Sequence, residues 1–170
     1  VEHCEDRVLI LDDDDANRLL LSVAVQMGGR FGYVEATTGT QALALWQPGK
    51  FAFALLDIEV PDMTGLEVAR QMREQDKGVV IVMCSANDEP AVVQMAVRVG
   101  ADLFFVKPFQ LETLLSTVKI LNRAALRASP RVLIIDNTQR PRWEERPPEM
   151  LFPAPRPPEP LAPAPPADPA

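Results

Sequence analysis

The chain alternates between two apolar patterns. Short runs with little polar interruption read as strands buried on both faces: Arg7–Leu11, Phe31–Ala36, Phe51–Leu56, Val79–Met83 and Leu103–Val106. Between them lie stretches with helical spacing. Residues 15–28 carry Ala16, Leu19, Leu20, Val23 and Met27 on an expected inner stripe, and Asp14 or Asp15 is placed to cap the start. Thr38–Trp46, Gly65–Glu74 (through Leu66, Ala69 and Met72), Glu89–Val99 and Leu111–Leu126 read as further helices. The last of these presents Leu111, Leu114, Leu115, Val118 and Leu121 inward. Five strand–helix units of this kind predict an α/β fold, a parallel sheet with helices on both faces.

Composition divides the chain. Of its 17 prolines, 13 fall in residues 128–170, and from Leu151 onward Pro and Ala dominate. Such a segment cannot bury enough apolar surface to order itself and favours extended polyproline conformations. The expected folded domain is therefore 5–127, and 128–170 is expected to be a disordered tail. Within the tail, Arg131-Val-Leu-Ile-Ile-Asp136 nearly repeats Arg7-Val-Leu-Ile-Leu-Asp12 at an offset of 124 residues. It reads as a vestigial strand at 131–135, the start of a second domain that Pro141, Pro147 and Pro148 prevent from continuing as a helix. The alternative is a chance apolar segment that packs on the sheet edge or stays mobile. Pro155-Arg-Pro-Pro158 superficially suits a polyproline-binding groove, a match that composition alone makes common.

The net charge of −7 belongs mainly to the folded part and disfavours direct binding to nucleic acid or an anionic membrane. No apolar stretch is long enough to span a bilayer, and no secretory leader is read, so a cytoplasmic location is expected. Two cysteines, Cys4 and Cys84, form no disulfide framework. Cys84 sits in an apolar run and is expected to pack as a small hydrophobe. His3 is assigned to a frayed terminus rather than to a metal site.

Chemistry gathers where the strands end. Asp12-Asp13, Asp57, Ser85 and Lys107 each close or follow a strand. In an open parallel sheet these ends share one edge, which is where ligands bind. Carboxylates at about 4 Å, with an effective dielectric near 20, repel by about 4 kcal/mol per pair. A divalent cation removes that cost, and an all-oxygen set of few carboxylates suits Mg²⁺. Lys107 adds a point charge suited to phosphate, and Ser85 adds a hydroxyl. A carboxylate nucleophile in such company suits phosphoryl transfer.

Four stretches carry a family resemblance. They are Val8-Leu-Ile-Leu-Asp-Asp-Asp14, Leu55-Leu-Asp-Ile-Glu-Val-Pro-Asp-Met-Thr-Gly-Leu-Glu67, Cys84-Ser-Ala86 and Gly100-Ala-Asp-Leu-Phe-Phe-Val-Lys-Pro-Phe109. In order and spacing, from residue 7 to about 126, the chain resembles the receiver domain of two-component response regulators, the chemotaxis type in particular. The resemblance implies a flavodoxin-like, doubly wound, five-stranded parallel sheet in the order 2-1-3-4-5. It implies that Asp57 takes a phosphoryl group from a histidine kinase or a histidine phosphotransfer protein. Asp13 would ligate Mg²⁺ directly, Asp12 mainly through metal-bound water, and Glu59 through its backbone carbonyl. Ser85 and Lys107 would hold the phosphoryl group, and the Lys107-Pro108 bond would be cis. Ser85 and Phe104 would form the switch, signalling through the face made by the fourth helix, fifth strand and fifth helix. A downstream protein target, and a dimer of receivers on phosphorylation, are expected partners. Such a protein promotes only its own phosphorylation and dephosphorylation and is otherwise no enzyme.

Some positions depart from the family pattern. Asp15 stands where many receivers carry proline, and the simple reading is a helix cap that complements the dipole. Glu59 occupies a position that tunes phosphoryl lifetime in the family. Phe104 lacks the hydroxyl that a tyrosine would bring. Two alternatives stay open on sequence: the receiver part of a larger regulator whose output lies elsewhere, and a small phosphatase with an Asp nucleophile.

Overall fold

A computed structural model describes residues 7–29, 31–121, 129, 131–136 and 142–146. Seven strands form one sheet in the order β2-β1-β3-β4-β5-β6-β7. The first five are β1 (Arg7–Leu11), β2 (Gly32–Ala36), β3 (Phe53–Asp57), β4 (Val80–Ser85) and β5 (Leu103–Val106), all parallel, in the expected order. The helices between and after them are α1 (Asp15–Gly29), α2 (Gly39–Leu45), α3 (Gly65–Gln75), α4 (Pro90–Arg98) and α5 (Leu111–Ile120). The fold class is as the sequence indicates; the strand count is not. β6 (Arg131–Ile135) pairs in parallel with β5, and β7 (Arg142–Glu145) pairs antiparallel with β6.

Strand residues alternate between two cores. Leu9, Leu11, Ala54, Leu56, Ile81, Met83 and Phe104 pack under α2, α3 and α4 through Ala42, Val68, Ala69, Met72, Val93 and Ala96. Val8, Ile10, Phe53, Leu55, Val82, Leu103 and Phe105 pack under α1 and α5 through Leu21, Ala24, Val25, Leu114 and Val118. Each fully buried Leu, Ile or Phe contributes about 1.5–3 kcal/mol. This two-sided burial is why the strand sequences lack polar alternation. Cys84 is buried in the second core, as expected, and burial pushes its thiol pKa up.

The inner stripe of α1 is rotated from the expected one. Leu21, Ser22, Ala24 and Val25 are buried, whereas Leu19 and Met27 are 65% and 66% exposed. Residues 19–25 are apolar except for Ser22, so periodicity alone leaves the phase open. Packing on α5 chooses it: a β-carbon on Gly28 would fall 2.8 Å from the Val118 side chain.

The last helix ends at Ile120, because Leu121 is extended at φ −62°, ψ 91°. Residues 122–126 of the expected helix, and His3 and Cys4, lie outside the described residues. The segment 131–135 is a strand, but one built into the sheet edge rather than set apart in a tail. Val132 is fully buried and Ile134 joins the first core. A β strand after α5 completes one more crossover of the type that precedes it, and an antiparallel edge strand on a parallel sheet is a common finish. β7 was not foreseen. Apart from 129, 131–136 and 142–146, the tail expected to be disordered lies outside the described residues.

Candidate functional site

Five parallel strands deliver their carboxyl ends to one edge. β1 and β3 are neighbours with Leu11 opposite Leu56, so Asp12 and Asp57 emerge side by side. Both are almost completely buried, while Asp13 is exposed. Carboxylate oxygens of Asp12, Asp13 and Asp57 lie within 4.8 Å of one another. Lys107, just past β5, reaches back across β4. Its Nζ lies 2.7 Å from Asp57 Oδ2 and 2.8 Å from Asp12 Oδ2. Lys107 N also donates to Ser85 O at 2.8 Å, which fixes the lysine's backbone against the end of β4. The Lys107-Pro108 bond is cis.

The two buried carboxylates are oriented by local bonds. Asp12 Oδ1 accepts from Asp14 N at 2.9 Å and from Asn17 Nδ2 at 3.4 Å. Asp57 Oδ1 accepts from Glu59 N at 3.0 Å. Burial raises the Asp57 pKa above the usual 3.8, and the Lys107 ammonium and the Glu59 N–H only partly oppose this. Burial pulls the Lys107 ammonium down, but the hydrogen bonds it donates to Asp12 and Asp57 outweigh burial and hold the group above its ordinary value. The arrangement therefore keeps a charged lysine between two carboxylates.

Ser85 is buried at the end of β4, and its Oγ accepts from Asn87 N at 2.9 Å. Phe104 is fully buried between Met83 and Ile134 in the sheet, so it sits in the first core rather than among the carboxylates. Glu59 places its N–H on Asp57, while its residue is exposed. Asp14, one of the two candidate caps, accepts from Asn17 N at 2.9 Å and caps α1; Asp15 instead pairs with Arg18.

Several groups at this edge were not singled out by sequence. Arg18 NH1 donates to Asp12 O at 2.9 Å, tying α1 to the end of β1. Asp62 accepts from Gly39 N at 2.7 Å and from Thr40 N at 2.8 Å, anchoring the loop after Asp57 to the start of α2. Helical spacing offered a signal for Arg18, which lies one turn into α1. Nothing in the local pattern pairs Asp62 with residues 22 and 23 positions earlier.

The residues fit a divalent cation. Three carboxylates converge with one ammonium, and the buried Asp12 Oδ2 faces that ammonium at 2.8 Å. Hard oxygen donors of this number match Mg²⁺. A doubly wound sheet with such an acidic cluster and a lysine at its carboxyl edge defines an α/β domain equipped to handle phosphate with a cation.

Comparison with known proteins narrows that class. The model of the response regulator receiver domain matches residues 8–119. Chemotaxis protein CheY of Bacillus subtilis is 32% identical over 117 residues, covering 68% of this chain and 98% of that protein. CheY of Thermotoga maritima is 35% identical over 104 residues, covering 61% of this chain and 87% of its own length. Transcriptional regulatory protein SrrA of Staphylococcus aureus is 34% identical over 116 residues, which are 47% of that longer protein. Among solved structures, the chemotaxis response regulator CheY4 of Vibrio cholerae superposes with a TM-score of 0.62 at 34% identity, over 68% of this chain and 97% of that one. The chain belongs to the response regulator receiver domain family. It is a phosphoacceptor receiver of two-component signalling. Receivers of this family bind Mg²⁺ at an acidic pocket and work with histidine kinases and downstream targets. Among the described residues, no helix is long and apolar enough to cross a membrane.

Proposed function

We propose that Asp57 is the phosphoacceptor of this receiver. The observation that carries the reading is the position of Lys107 Nζ, 2.7 Å from Asp57 Oδ2, beside the Asp12–Asp13 pair at the carboxyl edge. An electron pair on an Asp57 carboxylate oxygen forms the new O–P bond. The P–N bond of a phosphohistidine breaks, and its electron pair stays on the imidazole nitrogen, which takes up a proton. Asp12, Asp13, Asp57 and the carbonyl of Glu59 would hold Mg²⁺, which when bound neutralises charge on the transferring phosphoryl group. Lys107 exchanges a carboxylate partner for a phosphoryl oxygen, and the Ser85 hydroxyl supplies a second donor. Phe104 packs directly on the strand that ends in Ser85, and this supports its role as the switch aromatic. With no hydroxyl, it responds through packing alone.

The donor is a histidine kinase or a histidine phosphotransfer protein in the cytoplasm. The exposed apolar residues Leu19 and Met27 on α1, the helix that follows Asp12–Asp13, offer it a surface. Turnover is limited to the protein's own acyl phosphate. Mg²⁺-dependent labelling with acetyl phosphate tests the assignment. Wild type takes up one phosphoryl group and Asp57→Asn none; labelling that survives the substitution defeats it.

A further inference from the structure

β6 and β7 occupy the edge at which a five-stranded sheet would end. Their attachment is substantial: Val132 is fully buried, and Arg146, just after β7, is buried with its NH2 3.0 Å from Asp102 Oδ1. Because β6 runs parallel to β5, with Phe105 opposite Ile135, Asp136 arrives at the same carboxyl edge as Lys107. There Arg142 bridges two carboxylates. Its Nε lies 3.3 Å from Asp136 Oδ2 and its NH2 2.9 Å from Asp88 Oδ2.

Asp88 belongs to the loop that begins at Ser85. Asn87 N donates to Ser85 Oγ at 2.9 Å, and Glu89 N donates to Asn87 Oδ1 at 2.9 Å. Two short side-chain bonds thus brace a loop with Ser85 at one end and Asp88 at the other. A displacement at Ser85 is passed to Asp88, because two intervening residues leave little slack. The Arg142–Asp88 pair is half-exposed and adds little static stability. Its consequence lies in what it connects.

We propose that the β6–β7 segment is an internal ligand of the β5 edge, and that its hold is coupled to phosphorylation of Asp57 through the Arg142–Asp88 pair. The inference rests on Asp57 being the acceptor. A phosphoryl group there demands donors, and Ser85 is the nearest hydroxyl in the strand order. Drawing Ser85 and residues 86–88 toward the phosphoryl oxygens pulls Asp88 away from Arg142 and loosens β6–β7. Reciprocally, an intact pair opposes phosphorylation by the same factor.

Amide hydrogen exchange on the full chain tests this, with and without acetyl phosphate and Mg²⁺. On stoichiometric labelling, exchange at residues 131–135 and 142–145 is expected to quicken by up to about fivefold. Arg142→Ala, and Asp88→Asn from the other side of the pair, are expected to accept the label but lose the response. Stoichiometric labelling of wild type without a change in exchange overturns the coupling and leaves the acceptor assignment standing. A response that persists in both variants also overturns it. Absence of any label on wild type overturns the acceptor assignment and the coupling with it.

Discussion

Gly65 packs its α-carbon against the backbone carbonyl of Asp57, so closely that a β-carbon at position 65 would overlap that oxygen. Gly65 N also donates to Ile58 O at 2.9 Å. The start of α3 therefore presses directly on the backbone of the proposed acceptor. Gly65→Ala must push backbone against backbone, with no flexible side chain to yield. It is expected to destabilise the fold by about 1–3 kcal/mol, as overpacking does, and to slow labelling of Asp57. Urea unfolding checks the first expectation; a variant with an unchanged midpoint contradicts it.

Asp62 supplies an acid-sensitive tie between the loop after β3 and α2. Bonds from Thr40, side chain first and then backbone, with that from Gly39 N, hold its carboxyl well below the ordinary 3.8. A depressed acid stabilises the fold above its unfolded pKa, and that contribution is lost as pH falls through the folded value. Asp62→Ala is expected to unfold at lower denaturant than wild type at pH 7. The gap between them should narrow as pH falls below 3.8. A gap that stays constant down to acid unfolding would show that the carboxylate bonds add nothing.

The strand-end chemistry was legible because β1, β3, β4 and β5 are apolar on both faces, so a polar residue such as Asp57 or Lys107 marks where the strand stops. The phase of α1 was not, because Leu19-Leu20-Leu21 and Val23-Ala24-Val25 are apolar in turn and contact with the sheet and α5 selects Leu21, Ala24 and Val25. Arg73 was missed for a different reason. It lies on the buried side of α3, and its partner Asp102 is 29 residues away. Nothing local signals that two charges will meet inside. β6 was visible as an apolar run, but prolines around it argued against order. Its partner strand β5 and the buried Arg146 supply what its own composition lacks.

Asp102 is the hinge of that buried network. Its two oxygens face Arg73 NH2 at 2.9 Å and Arg146 NH2 at 3.0 Å, and Oδ2 also accepts from Ile81 N at 2.9 Å. Asp102→Ala would remove the carboxylate that these two buried guanidiniums share. Breaking a buried pair from one side costs about 3–5 kcal/mol. Arg146→Met should cost less, because it removes a charge and keeps apolar volume, and the loss should centre on β6 and β7. Hydrogen exchange resolved by segment, together with urea unfolding, separates the two. Equal, global loss in both variants would contradict a local role for Arg146.

Asp13 should show opposite effects with and without Mg²⁺. Without the cation its carboxylate adds repulsion to a cluster already holding Asp12 and Asp57, with Lys107 committed to the other two. Asp13→Asn is therefore expected to raise the unfolding temperature in EDTA. With Mg²⁺ at about 100 times its dissociation constant, wild type gains about 2.7 kcal/mol by mass action. The variant, lacking one exposed oxygen donor, should lose most of that gain. Scanning calorimetry of both proteins, with EDTA and across a Mg²⁺ series, reads the two effects separately. A variant that keeps the full Mg²⁺ shift would remove Asp13 from the ligand set. A variant that is less stable in EDTA would mean that its carboxylate supports the fold through bonds rather than straining it by repulsion.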